Sequence, residues 1–222
     1  LDDGKVLNVW QVWMRLSGRF ADILEFEPSA VAHAIRASAR RGHQVFIFNT
    51  FSGLVGPDPA CPPVLYLPFV HDIVCGGDDE LYRWLINYLA YIYQHPSDPE
   101  RKYCYAIALS GPQGVGKNTF VELYGRLFKE CFIEISNIES IMSFNSELAS
   151  RLIVLFDEAF SASWRNTRRI LKSLITSRRL NINEKFVAKY SLANHCRYFF
   201  ATNDEHSAPV ELSDRRYVCL EL

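Results

Sequence analysis

Residues 111–120 read GPQGVGKNTF. A glycine followed five positions later by Gly-Lys has the form of a phosphate-binding loop. In such a loop, backbone N–H groups and the start of a helix cradle phosphate oxygens. Glycines let the backbone come close, and the lysine reaches the β and γ phosphates. Here the loop comprises Gly111, Pro112, Gln113, Gly114, Val115, Gly116, Lys117, Asn118 and Thr119. Ordinary residue frequencies produce this spacing in about one random chain of this length in twenty. Requiring a strand before it and a helix after it lowers that several-fold. Both are present: YCYAIALS (103–110) is an apolar run, and helix-forming residues extend from Lys117 to Lys129. The departure is Asn118, where Ser or Thr normally gives a hydroxyl to magnesium. Either the Asn118 amide oxygen ligates the metal, or Thr119 does so through a shifted register, or metal binding is impaired. The first two fit better, because residues suited to hydrolysis follow downstream.

After the loop, short apolar runs alternate with helical patterns: CFIEI (131–135), RLIVLF (151–156), a helix around 166–176, and RYFFAT (197–202). Such runs, apolar on both faces, predict an α/β fold with a parallel sheet flanked by helices. RLIVLFDEA puts Asp157 and Glu158 at a strand's C-terminal end, where ligands bind in open α/β sheets. An aspartate there can hold magnesium, and the adjacent glutamate can polarise an attacking water. RYFFATND likewise ends on Asn203, whose amide can orient water or meet a γ phosphate. Twelve residues further on, Arg215 and Arg216 form an adjacent pair. Such a pair usually lies in a solvated turn, but an arginine can also stabilise phosphoryl-transfer charge.

Between these strands, residues 161–190 carry eight Lys or Arg against one acid, Glu184, a local excess of seven. In a chain of net charge −1 this is an electrostatic footprint for a polyanion. RLNINEKFVAKYSL reads as two strands with a tip near residues 187–189. Lys185 or Lys189 on that tip can grip a single-strand backbone, and Phe186 can stack a base. A solvated basic face, or one that meets an acidic neighbouring subunit, is the competing explanation.

The N-terminal part is less distinct. VLNVWQVWMRL (6–16) is apolar but short, Pro28–Arg41 has the composition of an alanine-rich helix, and QVFIFNTFSGLV (44–55) suggests a strand and turn. Residues 56–68, rich in proline, read as a loop. GGDDE (76–80) then provides a cap and an acidic first turn. Leu81, Leu85, Tyr88, Leu89 and Ile92 follow as one apolar stripe, and Pro96 ends the helix. The expected division is a mainly helical region over 1–98 and an ATPase-type core over 99–222.

Composition narrows the class. Nearly half of the 222 residues are apolar, and no apolar run reaches the length of a membrane span. Six cysteines without a CxxC pair suggest reduced thiols in an intracellular protein. Cys196 beside His195 lacks the further ligands a zinc site needs. The chain starts at Leu1 without a signal peptide, as expected of a fragment of a longer protein.

Taken together, GPQGVGKNTF, RLIVLFDEA, LKSLITSRRLNINEKFVAK and YFFATND…DRR resemble the superfamily 3 helicases. The likeness is greatest to the helicase domain of phage and mobile-element primase-polymerases, and it extends upstream to about residue 45. The resemblance implies an AAA+-like P-loop core, ATP and Mg2+ as ligands, single-stranded DNA as partner and a ring, expected to be hexameric. It also implies a primase-polymerase domain elsewhere in the full-length chain. By the same resemblance Gly111, Gly116 and Lys117 form Walker A, and Asp157 and Glu158 form Walker B. Asn203 corresponds to sensor 1, Arg215 or Arg216 to an arginine finger acting on the neighbouring subunit, and Lys185 or Lys189 to the hairpin DNA contact. Two other functions share some of these features, a P-loop small-molecule kinase and a nucleic-acid-binding scaffold that does not hydrolyse. The kinase leaves the basic insert and the Asn203/Arg215 spacing without a role, and the scaffold would use Asn118 as the mark of a degenerate site.

Overall fold

The computed structural model describes residues 23–30, 32, 35–40, 43–98, 105–157, 164–203 and 214–222. Two compact units divide the chain, Leu1–Ser52 and Gly53–Leu222, so the division falls well before the expected one near residue 98.

In the first unit, strands β1 (Ile23–Glu25), β2 (Ile35–Arg40) and β3 (His43–Asn49) form a sheet in the order β1-β3-β2. The β1–β3 pair is parallel and the β2–β3 pair antiparallel. The helix expected over Pro28–Arg41 is therefore corrected to a turn and a strand. Its alanines favour a helix locally, but six residues pair with β3 instead, and pairing outweighs propensity. Buried Asn49 closes this unit: its Oδ1 accepts from the backbone of Glu27 (3.0 Å) and Phe51 (3.1 Å), and its Nδ2 donates to the Glu27 carbonyl (3.0 Å). The VLNVWQVWMRL stretch lies outside the described residues.

The second unit is built on a five-stranded sheet, all parallel. Its strands are β4 (Ala106–Ser110), β5 (Phe132–Ile135), β6 (Ile153–Asp157), β9 (Arg197–Thr202) and β10 (Tyr217–Glu221), in the order β10-β4-β9-β6-β5. The expected parallel sheet is present, and β10 is a strand the sequence reading did not anticipate. β9 lies at the centre and all six of its residues are buried. Phe199 packs on one face against Phe120 and Tyr124 of the Lys117–Gly125 helix, at ring separations of 6.4 and 6.1 Å. Phe200 and Tyr198 face the other side with Phe156, Leu171 and Ile175. This two-sided burial is why the strand reads as a continuous apolar run.

The Asp79–Gln94 helix follows the expected stripe, burying Leu85, Tyr88, Leu89 and Ile92. Asp78 caps it, accepting from Glu80 N (2.8 Å) and Leu81 N (2.9 Å). Two tyrosine hydroxyls tie it to the core: Tyr88 donates to the Tyr105 carbonyl (2.6 Å), and Tyr124 to that of Leu89 (2.7 Å). Asp78→Ala is expected to cost about 1 kcal/mol. That lowers the melting temperature by about 2–4 °C, and urea unfolding at unchanged m-value checks it.

Antiparallel strands β7 (Arg179–Ile182) and β8 (Tyr190–Ala193) form the hairpin read from the sequence. Leu180 and Ile182 seat its base in the core. Paired asparagines fix it from the side. Asn183 N donates to Asn145 Oδ1 (2.7 Å), Asn145 Nδ2 to the Asn181 carbonyl (3.0 Å) and Asn183 Nδ2 to the Ser143 carbonyl (2.6 Å). Among the described residues no helix is long and apolar enough to cross a membrane.

Candidate functional site

Strand order decides what meets at the sheet's C-terminal edge. β9 lies between β4 and β6, with Ser110 opposite Thr202 and Asp157 opposite Ala201. The turn after β4, the end of β6 and the residue after β9 are thus brought side by side. They enclose a cavity of about 340 Å³ lined by Gln113, Gly114, Gly116, Lys117, Asn118, Thr119, Asp157 and Asn203.

The loop has the backbone a phosphate cradle requires. Gly114 and Gly116 adopt φ of +87° and +103°, and a Cβ on Gly114 would meet open space. Gly116 is different: a Cβ there would lie 2.8 Å from the Phe69 ring. That ring belongs to the Tyr66–Phe69 helix, which backs the loop, and the Tyr66 hydroxyl donates to the Phe120 carbonyl (3.2 Å). The helix that begins at Lys117 aims its N-terminus, with its partial positive charge, at the cavity.

Lys117 is buried and its Nζ donates to the carbonyls of Gly111 (2.7 Å) and Pro112 (2.8 Å) and to Asn203 Oδ1 (2.9 Å). The ammonium therefore links the first strand end to the third. Asp157 gives the cavity its negative side. Nearby Glu134 has its carboxyl pushed above the ordinary range, first by burial and then by the charges of Asp157 and Glu122. A negative field beside oxygen ligands suits a divalent cation. Asn118 and Thr119 both line the cavity and supply such oxygens. The residues present thus fit a nucleotide phosphate with magnesium: a loop with glycine at 111, 114 and 116, a buried ammonium and a carboxylate. Glu158 lies outside the described residues.

Arg215 and Arg216 are not brought to this cavity. Ala106 N donates to the Arg216 carbonyl (2.8 Å), and Tyr217 stands opposite Ala106, the first residue of β4. The pair therefore sits at the opposite end of the sheet from the loop, about 16 Å away along the strand. No arginine side chain covers that distance within one subunit. Asp214 accepts from Arg216 Nη1 (3.0 Å) and pairs with Lys172 Nζ (3.2 Å). Burial works to raise its pKa, but hydrogen bonds from Arg216 and Lys172 outweigh this and hold it below the usual carboxylate value. A lowered pKa means stability that is complete above the unfolded value and lost as pH falls through the folded one. Lys172 is thus partly neutralised by an acid outside the basic run, which the sequence count could not register.

At the hairpin tip, Phe186 is 94% exposed and held at φ +66°, rare for a non-glycine residue. Lys185 Nζ lies 5.0 Å from its ring centre, and Lys189 is exposed nearby in sequence. Among the described residues no three His, Cys, Asp or Glu side chains gather as a metal site. The buried Cys196 sulfur faces the carbonyls of Arg151 (3.3 Å) and Leu148 (3.6 Å).

A parallel sheet in this order, with a glycine loop after β4 leading into a helix, defines a P-loop NTPase fold of the α/β class. Residues 109–216 match a family described as a family of unknown function, DUF5906. The chain is 34% identical over 143 residues to the DNA primase-polymerase of Nitratiruptor phage NrS-1. That alignment covers 61% of this chain and 19% of the phage protein. An apo structure of the NrS-1 C-terminal region superposes with a TM-score of 0.69 at 26% identity, covering 89% of this chain and 46% of that one. A JCV helicase structure gives 0.48 at 16% identity over 70% of this chain. The resemblance to phage primase-polymerases read from the motifs is thus found in both sequence and structure.

Proposed function

We propose that this chain is an ATP-dependent helicase or translocase module of a replication protein, hydrolysing ATP at subunit interfaces to move on single-stranded DNA. The observation that carries this is the convergence of three strand ends: Lys117, Asp157 and Asn203 share one cavity, with Lys117 Nζ and Asn203 Oδ1 2.9 Å apart. The similarity to a phage primase-polymerase supports the replication setting. It also supports a primase-polymerase domain elsewhere in the full-length protein.

Backbone N–H groups from Gly114 to Lys117 bind the phosphates, and Lys117 exchanges a loop carbonyl for a phosphate oxygen. Asp157, with Asn118 or Thr119, would hold magnesium, which when bound would neutralise charge on the transferring phosphoryl group. Glu158 takes the proton of the attacking water, and Asn203 orients that water toward the γ phosphorus. The bond to the bridging oxygen breaks and its electron pair leaves on ADP. Arg215 or Arg216 of an adjacent subunit completes the pocket, because neither reaches the cavity of its own subunit. Ring assembly follows from that need, and a hexamer is the proposed closure.

Stimulation of ATP turnover by single-stranded DNA tests this reading; an assembled protein whose rate does not respond would count against it. Nucleotide binding without hydrolysis, unaffected by Glu158→Gln, would instead favour the scaffold that the Asn118 departure suggests. The hairpin tip is the proposed DNA contact. Phe186→Ala removes a stacking platform worth about 1–3 kcal/mol. Lys185→Ala lowers the salt slope of binding by about 1. Fluorescence anisotropy with labelled oligo-dT at several salt concentrations measures both.

A further inference from the structure

We propose that Asp214 is a positioning residue that divides the two arginines, pinning Arg216 within its own subunit and presenting Arg215 to the neighbour's nucleotide site. This rests on the reading of the chain as an ATPase completed between subunits. Two hydrogen bonds shape the turn. Tyr217 N donates to the Asp214 carbonyl (3.2 Å), closing a turn in which Arg215 and Arg216 are the two central residues. Arg216 N donates to Asp214 Oδ1 (3.2 Å), the side-chain turn typical of aspartate. The carboxylate is only 1% exposed and also takes Arg216 Nη1 at 3.0 Å, so the Arg216 guanidinium folds back on its own turn. Arg215 is exposed and makes no ion pair among the described residues.

The far side of the turn is equally fixed. The Arg216 carbonyl accepts from Ala106 N (2.8 Å), joining the turn to the strand that leads to the phosphate loop. The other carboxylate oxygen pairs with Lys172 (3.2 Å) on the Trp164–Thr176 helix, which lies within the basic insert. Arg215 therefore projects from a turn whose backbone, preceding side chain and following side chain are all tied down. A group that must meet developing charge in another subunit gains from such preorganisation, since little is left to reorganise at the moment of reaction. The same carboxylate joins that turn to the helix that precedes the hairpin proposed to meet DNA.

The test compares R215A, R216A, D214N and D214E in the full chain, reading kcat, KM for ATP and thermal melting. R215A is expected to lower kcat by about 10³–10⁵-fold, with KM and melting unchanged. D214N is expected to lower kcat with little effect on KM, and D214E to recover part of it. Mixing R215A subunits with K117M subunits, each inactive alone, is expected to restore turnover at junctions where an intact Lys117 faces an intact Arg215. R216A acting on kcat at unchanged melting while R215A stays active overturns the assignment, as does a fully active D214N. A wild-type chain that assembles yet hydrolyses no ATP overturns the parent reading and this one with it.

Discussion

Lys117→Met is expected to lower ATP turnover by about 10²–10³-fold or more while leaving the fold intact. The wild-type ammonium is buried and donates to three acceptors, the carbonyls of Gly111 and Pro112 and Asn203 Oδ1. Methionine keeps the unbranched stem and removes the buried charge together with its desolvation cost. Three acceptors lose a partner: Asn203 lines the cavity of about 340 Å³, where water can reach it, whereas Gly111 is buried. The relief of the ammonium's desolvation offsets part of that loss. Stability therefore changes far less than chemistry. Steady-state hydrolysis beside a thermal melt separates the two, and turnover at the wild-type rate would remove the cavity from consideration as an ATPase site.

Gly116→Val is expected to damage fold and site together. Its φ of +103° is strained for any side chain, and a β-branched one is the worst case. The new Cβ would also lie 2.8 Å from the Phe69 ring, against a segment that Tyr66 bonds to the helix after the loop. Either the ring moves or the loop does, and both lose packing. Strain of about 1–3 kcal/mol adds to that displacement. Gly114→Ala gives the control: its φ is +87°, but nothing lies within 4 Å of the added carbon. Urea unfolding should rank Gly116→Val well below Gly114→Ala, and nucleotide affinity should follow the same order. Equal losses would mean that Phe69 is not the constraint.

These expectations show what the sequence carried by itself. The loop was legible because its glycines stand where the backbone needs positive φ, a local requirement. The central strands were legible because burial on both faces leaves uninterrupted apolar runs such as RYFFAT. Strand β10 was not, because its register buries Tyr217 and Leu220 but leaves Cys219 and Glu221 exposed beside the basic pair. The alanine-rich stretch before Arg41 misled for a related reason, since pairing with β3 is a long-range fact. Likewise, no local pattern joins Lys172 to Asp214, 42 positions apart, and so the charge of the basic insert was overcounted.

Under the proposed chemistry, the opposed placement of loop and arginines on one sheet constrains how subunits can associate. A twofold pair completes cavities only if one self-complementary patch carries both the loop end and the arginine end, so that each reaches across to the other. Head-to-tail contact has no such requirement, because each junction joins one loop end to one arginine end, and such contacts either close into a cycle or run on as a filament. Either way a lone chain leaves its cavity incomplete, so turnover per chain should rise with chain concentration as subunits associate.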